Sequence, residues 1–536
     1  MLAKIARVAA QHFGDRSVVV SPEGNLSYSE LDEYASRLSI ALRGRGVGEG
    51  DVVALVLPSG GDWLVAATAV SRLGAIFAGV SPILTPRERG ELQSLVSPRL
   101  TLTDSDLVDG LSLRSEIAII PKGTRGQTLN LEPDPQRDEA AIGFEVEAPG
   151  LLPADEDRPA VICFTSGTTG RAKAALYRER QLNAIQRMDL GEGFEQIWGG
   201  GAPMLASTQF AHVGMSTKFP WYLRLGSTLH VMERWRADEA LRLVASERMP
   251  TIGAVAPQLA LMLRSPLMDE LDLSCVQTVV AGGASSPVPL VRAIRERLGA
   301  GYSIRYSSTE TGGVGLATDA RSDDESEWGT VGTPRPLVEV RIADESDNEL
   351  SRGMTGELQL RSPAVMDGYW NDPKATLAAL TDDRWLRTGD LASIDENGRV
   401  VLCGRQSDMY IRGGYNVFPS EVEAILLEHP LVDDVVVVPQ PDEVMGERGL
   451  AMVVPADRDR LPTLDDLRTH AATQLSSHKL PESILIIAEV PLTSAQKIDR
   501  MAALKLADQM LEATTNVDAG GPHREVAVNL TSRAAD

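Results

Sequence analysis

One segment of the sequence concentrates the residue types that bind phosphate groups: Phe164-Thr-Ser-Gly-Thr-Thr-Gly-Arg-Ala-Lys173. Its glycines let backbone N–H groups approach phosphate oxygens, its hydroxyls donate further hydrogen bonds, and Lys173 adds a compact charge suited to a leaving pyrophosphate. The spacing differs from the Walker pattern GxxxxGK[ST]. Because the apolar run Ala160-Val-Ile-Cys-Phe164 leads straight into these residues, we predict a phosphate loop after a buried strand rather than a surface turn.

Four further charged residues are candidates for chemistry on a nucleotide. They are Glu310 in Tyr306-Ser-Ser-Thr-Glu310, Asp390 in Trp385-Leu-Arg-Thr-Gly-Asp390, Arg405 and Lys497. Taken singly, most have an ordinary explanation: a helix cap for Glu310, a turn for Asp390 and a solvated surface lysine for Lys497. Their order along the chain is what gives them weight.

Taken together, the motifs resemble the adenylate-forming superfamily, which includes acyl-CoA synthetases, stand-alone adenylation domains and luciferases. The phosphate loop is similar to the family signature, Gly282-Gly-Ala284 to the loop that lines adenine, and Pro491–Arg500 to the block with a catalytic lysine. The resemblance covers the chain from Leu26 to Lys505. It implies a large N-terminal α/β domain of covered sheets with a distorted β-barrel subdomain, followed by a small mobile α+β C-terminal domain.

The resemblance also implies a nucleotide site, in which the Tyr306 ring stacks on adenine, Asp390 and Arg405 lie at the ribose and Glu310 binds Mg²⁺. The residues expected to contact ATP or AMP are Thr165, Ser166, Gly167, Thr168, Thr169, Gly170, Lys173, Gly283, Ala284, Ser285, Arg305, Tyr306, Ser307, Thr309, Asp390, Arg405 and Lys497. The implied catalytic residues are Lys497, His212, Thr309 and Glu310.

The implied reaction joins a carboxylate to the α-phosphate of ATP and so brings two anions together. Catalysis would therefore rest on charge neutralisation and in-line positioning. Lys173 would hold the β- and γ-phosphates, and Mg²⁺ on Glu310 would neutralise the developing charge. Lys497, on the mobile domain, would bridge the substrate carboxylate and the ribose or α-phosphate oxygens.

A second step would pass the acyl group to a thiol. By resemblance, the small domain rotates about a hinge at Ser407, and Gly413 and Gly414 line a channel for the pantetheine of CoA. Glycine suits a channel wall because a Cβ atom would narrow it. An acyl carrier protein is the alternative acceptor, and the missing fused carrier domain does not decide between the two.

The acyl pocket is expected beside His212, in Gln209-Phe-Ala-His-Val-Gly214, which matches the family's histidine near the acid. Its walls are expected to come from His212, Val213, Gly214, Met215, Val255, Ala256, Pro257, Gly282, Gly313 and Val314. These residues are apolar and mostly small, and none is an acid that could receive an α-amino group. We therefore expect an apolar organic acid rather than an amino acid.

Five positions depart from the family pattern: Ala172, Ala174, Ser307, Ser407 and Gln496. None of them removes a charge that the mechanism needs, so we expect activity. Two alternatives of another class are a non-catalytic nucleotide or acyl binder and a serine hydrolase, the latter suggested by SxxK in Ser494-Ala-Gln-Lys497. The retained charges disfavour the first, and the missing companion motifs disfavour the second.

The elements that must position these residues alternate along the chain between strand-like runs, such as Val52–Leu57, and helix-like runs, such as Pro287–Leu298, which favours an α/β domain. Ser29 and Ser420 are the expected N-caps of helices over residues 31–42 and 420–427. We predict an ATP- and acyl-binding domain over residues 1–406, a small catalytic lid domain over 407–513 and a flexible tail over 514–536. Residues 121–157 are expected to be mostly loop.

Composition limits the classes of partner. The formal net charge of −23 argues against nucleic acid and against an anionic membrane surface. Three separated cysteines without a CxxC pair favour a cytoplasmic protein. The apolar stretch Trp63–Pro82 is broken by a charge and glycines, so we expect a buried helix and strand rather than a membrane span. Most of the 52 basic residues are arginine, which is typical of GC-rich bacterial genes. A homodimer is left open.

Overall fold

The computed structural model describes residues 1–112, 115–120, 149–165, 172–492, 498–515 and 525–526. Six residues of the predicted phosphate loop lie outside the described residues, namely Ser166, Gly167, Thr168, Thr169, Gly170 and Arg171, and so does Lys497. Residues 121–148 of the predicted 121–157 loop, and 516–524 and 527–536 of the predicted tail, also lie outside them. The predictions on these segments stay predictions.

The largest sheet carries the strand that precedes the phosphate loop. Its seven strands, in spatial order, are β18 (Gly368–Tyr369), β8 (Lys173–Arg178), β7 (Pro159–Thr165), β4 (Ile76–Gly79), β3 (Val52–Val56), β5 (Leu100–Thr103) and β6 (Glu116–Ile119). The five strands from β7 to β6 pair in parallel, whereas β8 and β18 pair antiparallel. Every side chain of β3 is buried, as expected of a parallel sheet covered on both faces.

A second mixed sheet supplies the opposite side of the site. Its order is β11 (Thr251–Ala254), β12 (Thr278–Gly282), β13 (Gly301–Tyr306), β14 (Leu316–Ala317) and β15 (Thr333–Pro334). The first three strands are parallel, so β12 and β13 both end at the same edge of the sheet. A third, four-stranded sheet contains β2 (Gly24–Ser27), β1 (Ser17–Ser21), β10 (Thr228–His230) and β9 (Pro203–Leu205).

Thirteen helices of the described residues before position 406 cover these sheets or connect their strands. They are α1 (Leu2–Phe13), α2 (Tyr28–Gly44), α3 (Gly61–Arg72), α4 (Pro86–Val96), α5 (Glu179–Leu190), α6 (Val213–Ser216), α7 (Phe219–Leu225), α8 (Ala237–Ser246), α9 (Ala256–Arg264), α10 (Leu267–Glu270), α11 (Val288–Leu298), α12 (Glu325–Trp328) and α13 (Pro373–Ala379). The main core fills the space between α1, α2 and α3 and the largest sheet, with Trp63, Leu31 and Phe77 at most 2% exposed.

A four-stranded antiparallel sheet closes the first part of the chain. It contains β16 (Glu339–Ala343), β17 (Gly356–Arg361), β19 (Leu386–Ile394) and β20 (Val400–Arg405). The last sheet contains β22 (Tyr415–Val417), β21 (Tyr410–Arg412), β24 (Gly446–Pro455), β25 (Ser483–Ile486) and β26 (Glu525–Val526), with β23 (Val432–Asp442) paired to β24. It packs against α14 (Pro419–Leu426), α15 (Leu464–Ala471) and α16 (Arg500–Thr515).

This architecture confirms the predicted fold class of a large N-terminal α/β domain with mixed sheets and a smaller C-terminal α+β domain. The chain leaves one sheet at Arg405 and enters the next at Tyr410. The boundary at 406/407 stays a prediction. Among the described residues, each helix is too short or too polar to cross a lipid bilayer.

Two predicted helix caps are wrong, and both errors have a local cause. The cap of α2 is Ser27, not Ser29, because Ser27 and Glu30 form a reciprocal capping box: the Glu30 N–H donates to Ser27 Oγ and the Ser27 N–H to Glu30 Oε2. Ser420 lies inside α14, which begins at Pro419, and its hydroxyl donates to the Cys403 carbonyl at 3.2 Å.

Candidate active site

The ends of the phosphate loop are held by a hairpin. Strands β7 and β8 pair antiparallel, with Thr165 opposite Lys173, so the residues between them leave from and return to one sheet. Lys173 Nζ lies 5.0 Å from the centroid of the Tyr369 ring, on the neighbouring strand β18. A cation over an aromatic face is electrostatically favourable. The hairpin therefore fixes the predicted phosphate lysine at the sheet edge.

Tyr369 connects this lysine to Glu310. The Tyr369 hydroxyl donates to Glu310 Oε1 at 2.8 Å. Burial, and next the charge of Glu310, raise the pKa of Tyr369, so the phenol keeps its proton and remains a donor. Among the described residues, no donor is bonded to the second carboxylate oxygen, Oε2. Tyr369 therefore contacts both Lys173, which was predicted at the phosphates, and Glu310, which was predicted at Mg²⁺.

The loop that carries Glu310 is shaped by its own hydrogen bonds. The Ser308 N–H donates to Thr311 Oγ1 at 2.9 Å, and the Thr311 N–H donates back to Ser308 Oγ at 3.3 Å. The hydroxyl of Tyr177, on β8, donates to the Thr309 carbonyl and accepts from the Gly312 N–H. Burial raises the pKa of Tyr177 well above its usual range. The backbone at Thr309 and Glu310 is therefore tied to the phosphate-loop strand.

A second cluster joins Tyr306, at the end of β13, to Asp390, in the middle of β19. The Tyr306 hydroxyl donates to Asp390 Oδ2, and Arg405 Nε donates to Asp390 Oδ1 at 2.9 Å. Asp390 and Arg405 are direct partners on β19 and β20. Asp390 is 8% exposed, and each of its oxygens retains capacity for another hydrogen bond. The three residues predicted at adenine and ribose therefore form one bonded group.

The predicted adenine loop, Gly283, Ala284 and Ser285, follows β12 at the same sheet edge. Gly283 has a φ of +80°, a conformation that side chains with a Cβ rarely adopt. Ser286 directly follows this loop, and its Oγ accepts a hydrogen bond at 3.0 Å from the hydroxyl of Tyr302 on β13. This bond anchors the loop to β13. Ser307 continues directly from Tyr306. These residues line the carboxyl edge where ligands bind in open α/β sheets.

The predicted acyl-pocket residues come together in part. His212 Nδ1 accepts from the Gly214 N–H at 3.1 Å and so caps the short helix α6. A Cβ on Gly313 would lie 3.5 Å from the Gly214 Cα, so these two predicted wall residues touch. Five other wall residues are buried, namely Val213, Met215, Val255, Ala256 and Val314, while Pro257 and Gly282 are partly exposed.

The predicted thiol-channel residues lie in the small domain. Gly413 and Gly414 form the turn between β21 and β22, with φ of +56° and +86°. The Gly413 N–H donates to the Met445 carbonyl at 2.8 Å. Ser407 donates from its hydroxyl to Asp408 Oδ1 at 3.0 Å. The roles of Ser407, Gly413 and Gly414 as hinge and channel stay predictions.

Tyr369 and Tyr177 are the contacts that the sequence analysis missed. Tyr369 lies in Gly368-Tyr-Trp370, a segment to which the sequence analysis assigned no role. Tyr177 lies four residues after Lys173, so on a strand the two share a face. Because alternate residues of a strand share a face, this spacing could have indicated that Tyr177 lies on the same side of the sheet as Lys173. Nothing local in the sequence indicates that Tyr369 reaches Glu310.

Two family models match the chain. A family model described as AMP-binding enzyme matches residues 6–370, and one described as AMP-binding enzyme C-terminal domain matches residues 421–497. The chain belongs to the AMP-binding enzyme family. The resemblance to the adenylate-forming superfamily is thereby confirmed. The first matched segment contains Lys173, Glu310 and Tyr369, whereas Asp390 and Arg405 lie between the two segments.

Individual relatives of this AMP-binding enzyme are similar over nearly their whole length. An indoleacetate–CoA ligase of Aromatoleum aromaticum is 30% identical over 494 residues, covering 90% of this chain and 93% of the relative. A probable CoA ligase of Humulus lupulus is 29% identical, covering 93% and 92%. The solved structure of an amide bond synthetase from Marinactinospora thermotolerans is 26% identical, with a TM-score of 0.80 over 94% of this chain and 100% of that one. These similarities support an AMP-forming ligase.

Proposed function

We propose that this protein is an acyl-CoA synthetase. In the first step, a carboxylate oxygen of the acid attacks the α-phosphorus of ATP, the bond to the bridging oxygen breaks, and pyrophosphate leaves. In the second, the CoA sulfur attacks the acyl carbon, the thiol proton is released, and AMP leaves. The observation that carries the proposal is the Lys173–Tyr369–Glu310 contact, which holds a cation and a carboxylate beside the ends of the phosphate loop.

The chemistry of Glu310 fits a magnesium ion. Mg²⁺ keeps several waters and takes one or two protein carboxylates together with substrate phosphates, so one carboxylate suffices. Among the described residues, no group of three or more His, Cys, Asp or Glu could hold a metal, which agrees with such a one-carboxylate site. When bound, Mg²⁺ would neutralise phosphate charge. Tyr369 fixes the carboxylate through Oε1, so Oε2 would be the oxygen available to hold the ion.

The Tyr306–Asp390–Arg405 cluster would bind the nucleoside. Asp390 can accept from both ribose hydroxyls while Arg405 balances its charge. Although burial opposes it, the charge of Asp390 raises the pKa of Arg405, so the guanidinium stays charged. The proposal gives Lys497 the role of bridging the two reacting anions. It places the nucleotide in a domain over residues 1–406, with a lid over 407–513 that rotates between the steps.

The names of the relatives support CoA as acceptor. The Aromatoleum aromaticum and Humulus lupulus relatives are named as CoA ligases. The Marinactinospora thermotolerans neighbour, an amide bond synthetase, favours a second candidate in which an amine takes the acyl group from the adenylate. A carrier-protein thiol is a third acceptor for the same first step. The cytoplasmic location, the bacterial source and a homodimer stay predictions.

The test is a screen of carboxylic acids for acid-dependent pyrophosphate release, first without an acceptor and then with CoA, a phosphopantetheinylated carrier protein or an amine. We expect pyrophosphate and AMP to form in equal amounts with a thioester of CoA. Turnover with an amine but not with CoA would show that the acceptor is an amine, while the proposed first step would stand. Absence of acid-dependent pyrophosphate release across the screen, in protein shown to be folded, would favour the non-catalytic binder instead.

A further inference from the structure

Lys218 is a cation beside the predicted acyl pocket that the proposed reaction does not use. It occupies the N-cap position of α7, directly after α6, and its N–H donates to the Met215 carbonyl at 2.9 Å. The preceding residue, Thr217, fixes this turn by donating from its hydroxyl to the Gly312 carbonyl at 3.1 Å. The residue before Lys218 is therefore tied to Gly312, the chain neighbour of the predicted wall residue Gly313.

Arg305, which the resemblance grouped with the ATP and AMP contacts, approaches the same place from the second sheet. It is the parallel partner of Gly282, and a Cβ built on Gly282 would lie 3.4 Å from the Arg305 Cβ. The absence of a side chain at Gly282 therefore leaves room for Arg305 to pass over it. Among the described residues, neither Arg305 nor Lys218 has a side-chain hydrogen bond or ion pair.

Arg335 and Asp189 complete the cluster. Arg335 follows β15, its N–H donates to the Gly315 carbonyl at 3.1 Å, and its guanidinium pairs with the Asp189 carboxylate at the end of α5. Both side chains of this pair are at most 20% exposed. Lys218 and Arg305 lie within the electrostatic field of both residues. Three cations therefore face one carboxylate.

Such an arrangement is costly without a further anion. Charged groups removed from water are normally paired, and a buried cation among like charges is destabilised. Burial lowers the pKa of Lys218; the charge of Asp189 opposes this, and the charges of Arg335 and Arg305 lower the pKa further. The pKa of Arg305 is lowered by burial and next by Arg335. The unpaired side chains lie beside the pocket, so a ligand can supply the missing negative charge.

We propose that Lys218 and Arg305 bind a second carboxylate at the far end of the acyl substrate. The inference rests on the proposed function, because it assumes that the acid enters between Gly214, Gly282 and Gly313. It names the substrate class as a dicarboxylic acid, one carboxylate reacting with ATP and the other meeting the two cations. This differs from the apolar acid that the pocket residues suggested from sequence.

The experiment compares linear dicarboxylic acids of graded length with monocarboxylic acids of equal length. Acid-dependent pyrophosphate release and thermal stabilisation in the presence of AMP are both measured, on the full chain and on Lys218→Met and Arg305→Met. Methionine keeps the length of the aliphatic stem and removes the charge. Lys374→Met, at an exposed lysine of α13, is the matched control.

We expect one length of diacid to be favoured over its monoacid by about tenfold or more in kcat/KM, and each pocket variant to lose that preference while Lys374→Met keeps it. Lys218→Glu should invert it towards an acid with an amino group at the far end. Equal use of diacid and monoacid by the unaltered enzyme, or unchanged preference in both variants, would overturn the subsite. A variant that instead raises KM for CoA alone would also overturn it.

The two readouts separate this proposal from the proposed function. Monoacids that release pyrophosphate, with diacids inert, would leave the synthetase assignment intact and reject the subsite. If no acid releases pyrophosphate, thermal stabilisation decides the subsite by itself. A diacid that raises the melting temperature of the unaltered protein but not of Lys218→Met supports it, and an equal or absent shift rejects it.

Discussion

Glu310 uses its two carboxylate oxygens differently, one for Tyr369 and the other for the proposed ion. Glu310→Gln keeps an acceptor for the Tyr369 hydroxyl but removes the charge that holds Mg²⁺. We therefore expect adenylate formation to fall at least ~100-fold, about 2.7 kcal/mol of transition-state stabilisation. The measurement is pyrophosphate release against Mg²⁺ concentration.

The control is Tyr369→Phe, which removes one hydrogen bond and keeps the ring under Lys173. It should cost much less, roughly tenfold, because the carboxylate loses orientation but not charge. Activity of Glu310→Gln within twofold of the unaltered enzyme, with the same Mg²⁺ requirement, would remove Glu310 from the metal site.

Asp390 permits a test on the nucleotide rather than on the acid. Asp390→Asn removes the charge that Arg405 and Tyr306 share, and it replaces one acceptor by a donor. We expect kcat/KM for ATP to fall roughly ten- to hundredfold, mainly through KM. Asp457→Asn, at an exposed carboxylate of the small domain, is a comparison outside the nucleotide site. An unchanged KM for ATP in Asp390→Asn would contradict a ribose role.

At the scale of elements, Arg500 at the start of α16 holds the small domain together. Its guanidinium donates to both oxygens of Glu423 at 2.6 and 2.8 Å and to Asp408 at 3.0 Å. Glu423 is 5% exposed. Arg500→Met leaves that carboxylate buried without its partner, so we expect a loss of about 3–5 kcal/mol in the free energy of unfolding.

Denaturant unfolding checks this expectation, with the exposed Arg460→Met as control. A loss below about 1 kcal/mol would show that Arg500 and Glu423 are not a stabilising pair.

Asp62, in the first turn of α3, predicts a pH dependence of stability. Burial, and next the charge of Glu23, raise the pKa of Asp62 to about 6. The folded protein therefore binds this proton more tightly than the unfolded chain does. Stability contributed by the group falls as pH rises from about 4 to about 6 and then stays low.

Asp62→Asn cannot ionise and should escape that fall. We expect the variant to gain roughly 1–3 kcal/mol over the unaltered protein near pH 8 and much less near pH 4. Urea unfolding at the two pH values measures the difference, and Asp15→Asn, at an exposed carboxylate, is the control. A gain independent of pH would mean that the pKa of Asp62 is the same in the folded and unfolded states.

At the scale of the whole molecule, the two-step proposal predicts a separation of the half-reactions. Gly413→Leu would place a branched side chain at a turn that the proposal assigns to the thiol channel, so transfer to CoA should fall much more than adenylation. The backbone there has a φ of +56°, which adds a cost of order 1 kcal/mol to stability. Both half-reactions are measured on one folded preparation.

Gly398→Leu is the control, because it introduces the same kind of backbone strain outside the predicted thiol channel. Gly398 has a φ of +79° and open space around it. It should lower stability and leave the ratio of the half-reactions unchanged. If Gly413→Leu also leaves the ratio unchanged, either the thiol enters elsewhere or the enzyme uses another acceptor.

Sequence reasoning reached the fold class because the alternation of strand and helix patterns is local. It also identified Tyr306, Asp390 and Arg405, although not that they bond to one another, since that depends on the register of β19 against β20. Ser420 illustrates the limit: its residue type fits an N-cap, but the preceding Pro419 starts the helix and frees the hydroxyl for Cys403. Lys218 was missed because its surroundings come from three separate segments.

The central claim is that the carboxylate of an acid attacks the α-phosphorus of ATP in this site. The most direct test supplies the acid with a heavy isotope of oxygen in its carboxylate and analyses the products of turnover with CoA by mass spectrometry. The account predicts one labelled oxygen in AMP and none in pyrophosphate, because the acid's oxygen stays with AMP when the thiol attacks the acyl carbon. Label in pyrophosphate or phosphate, or unlabelled AMP, would contradict it.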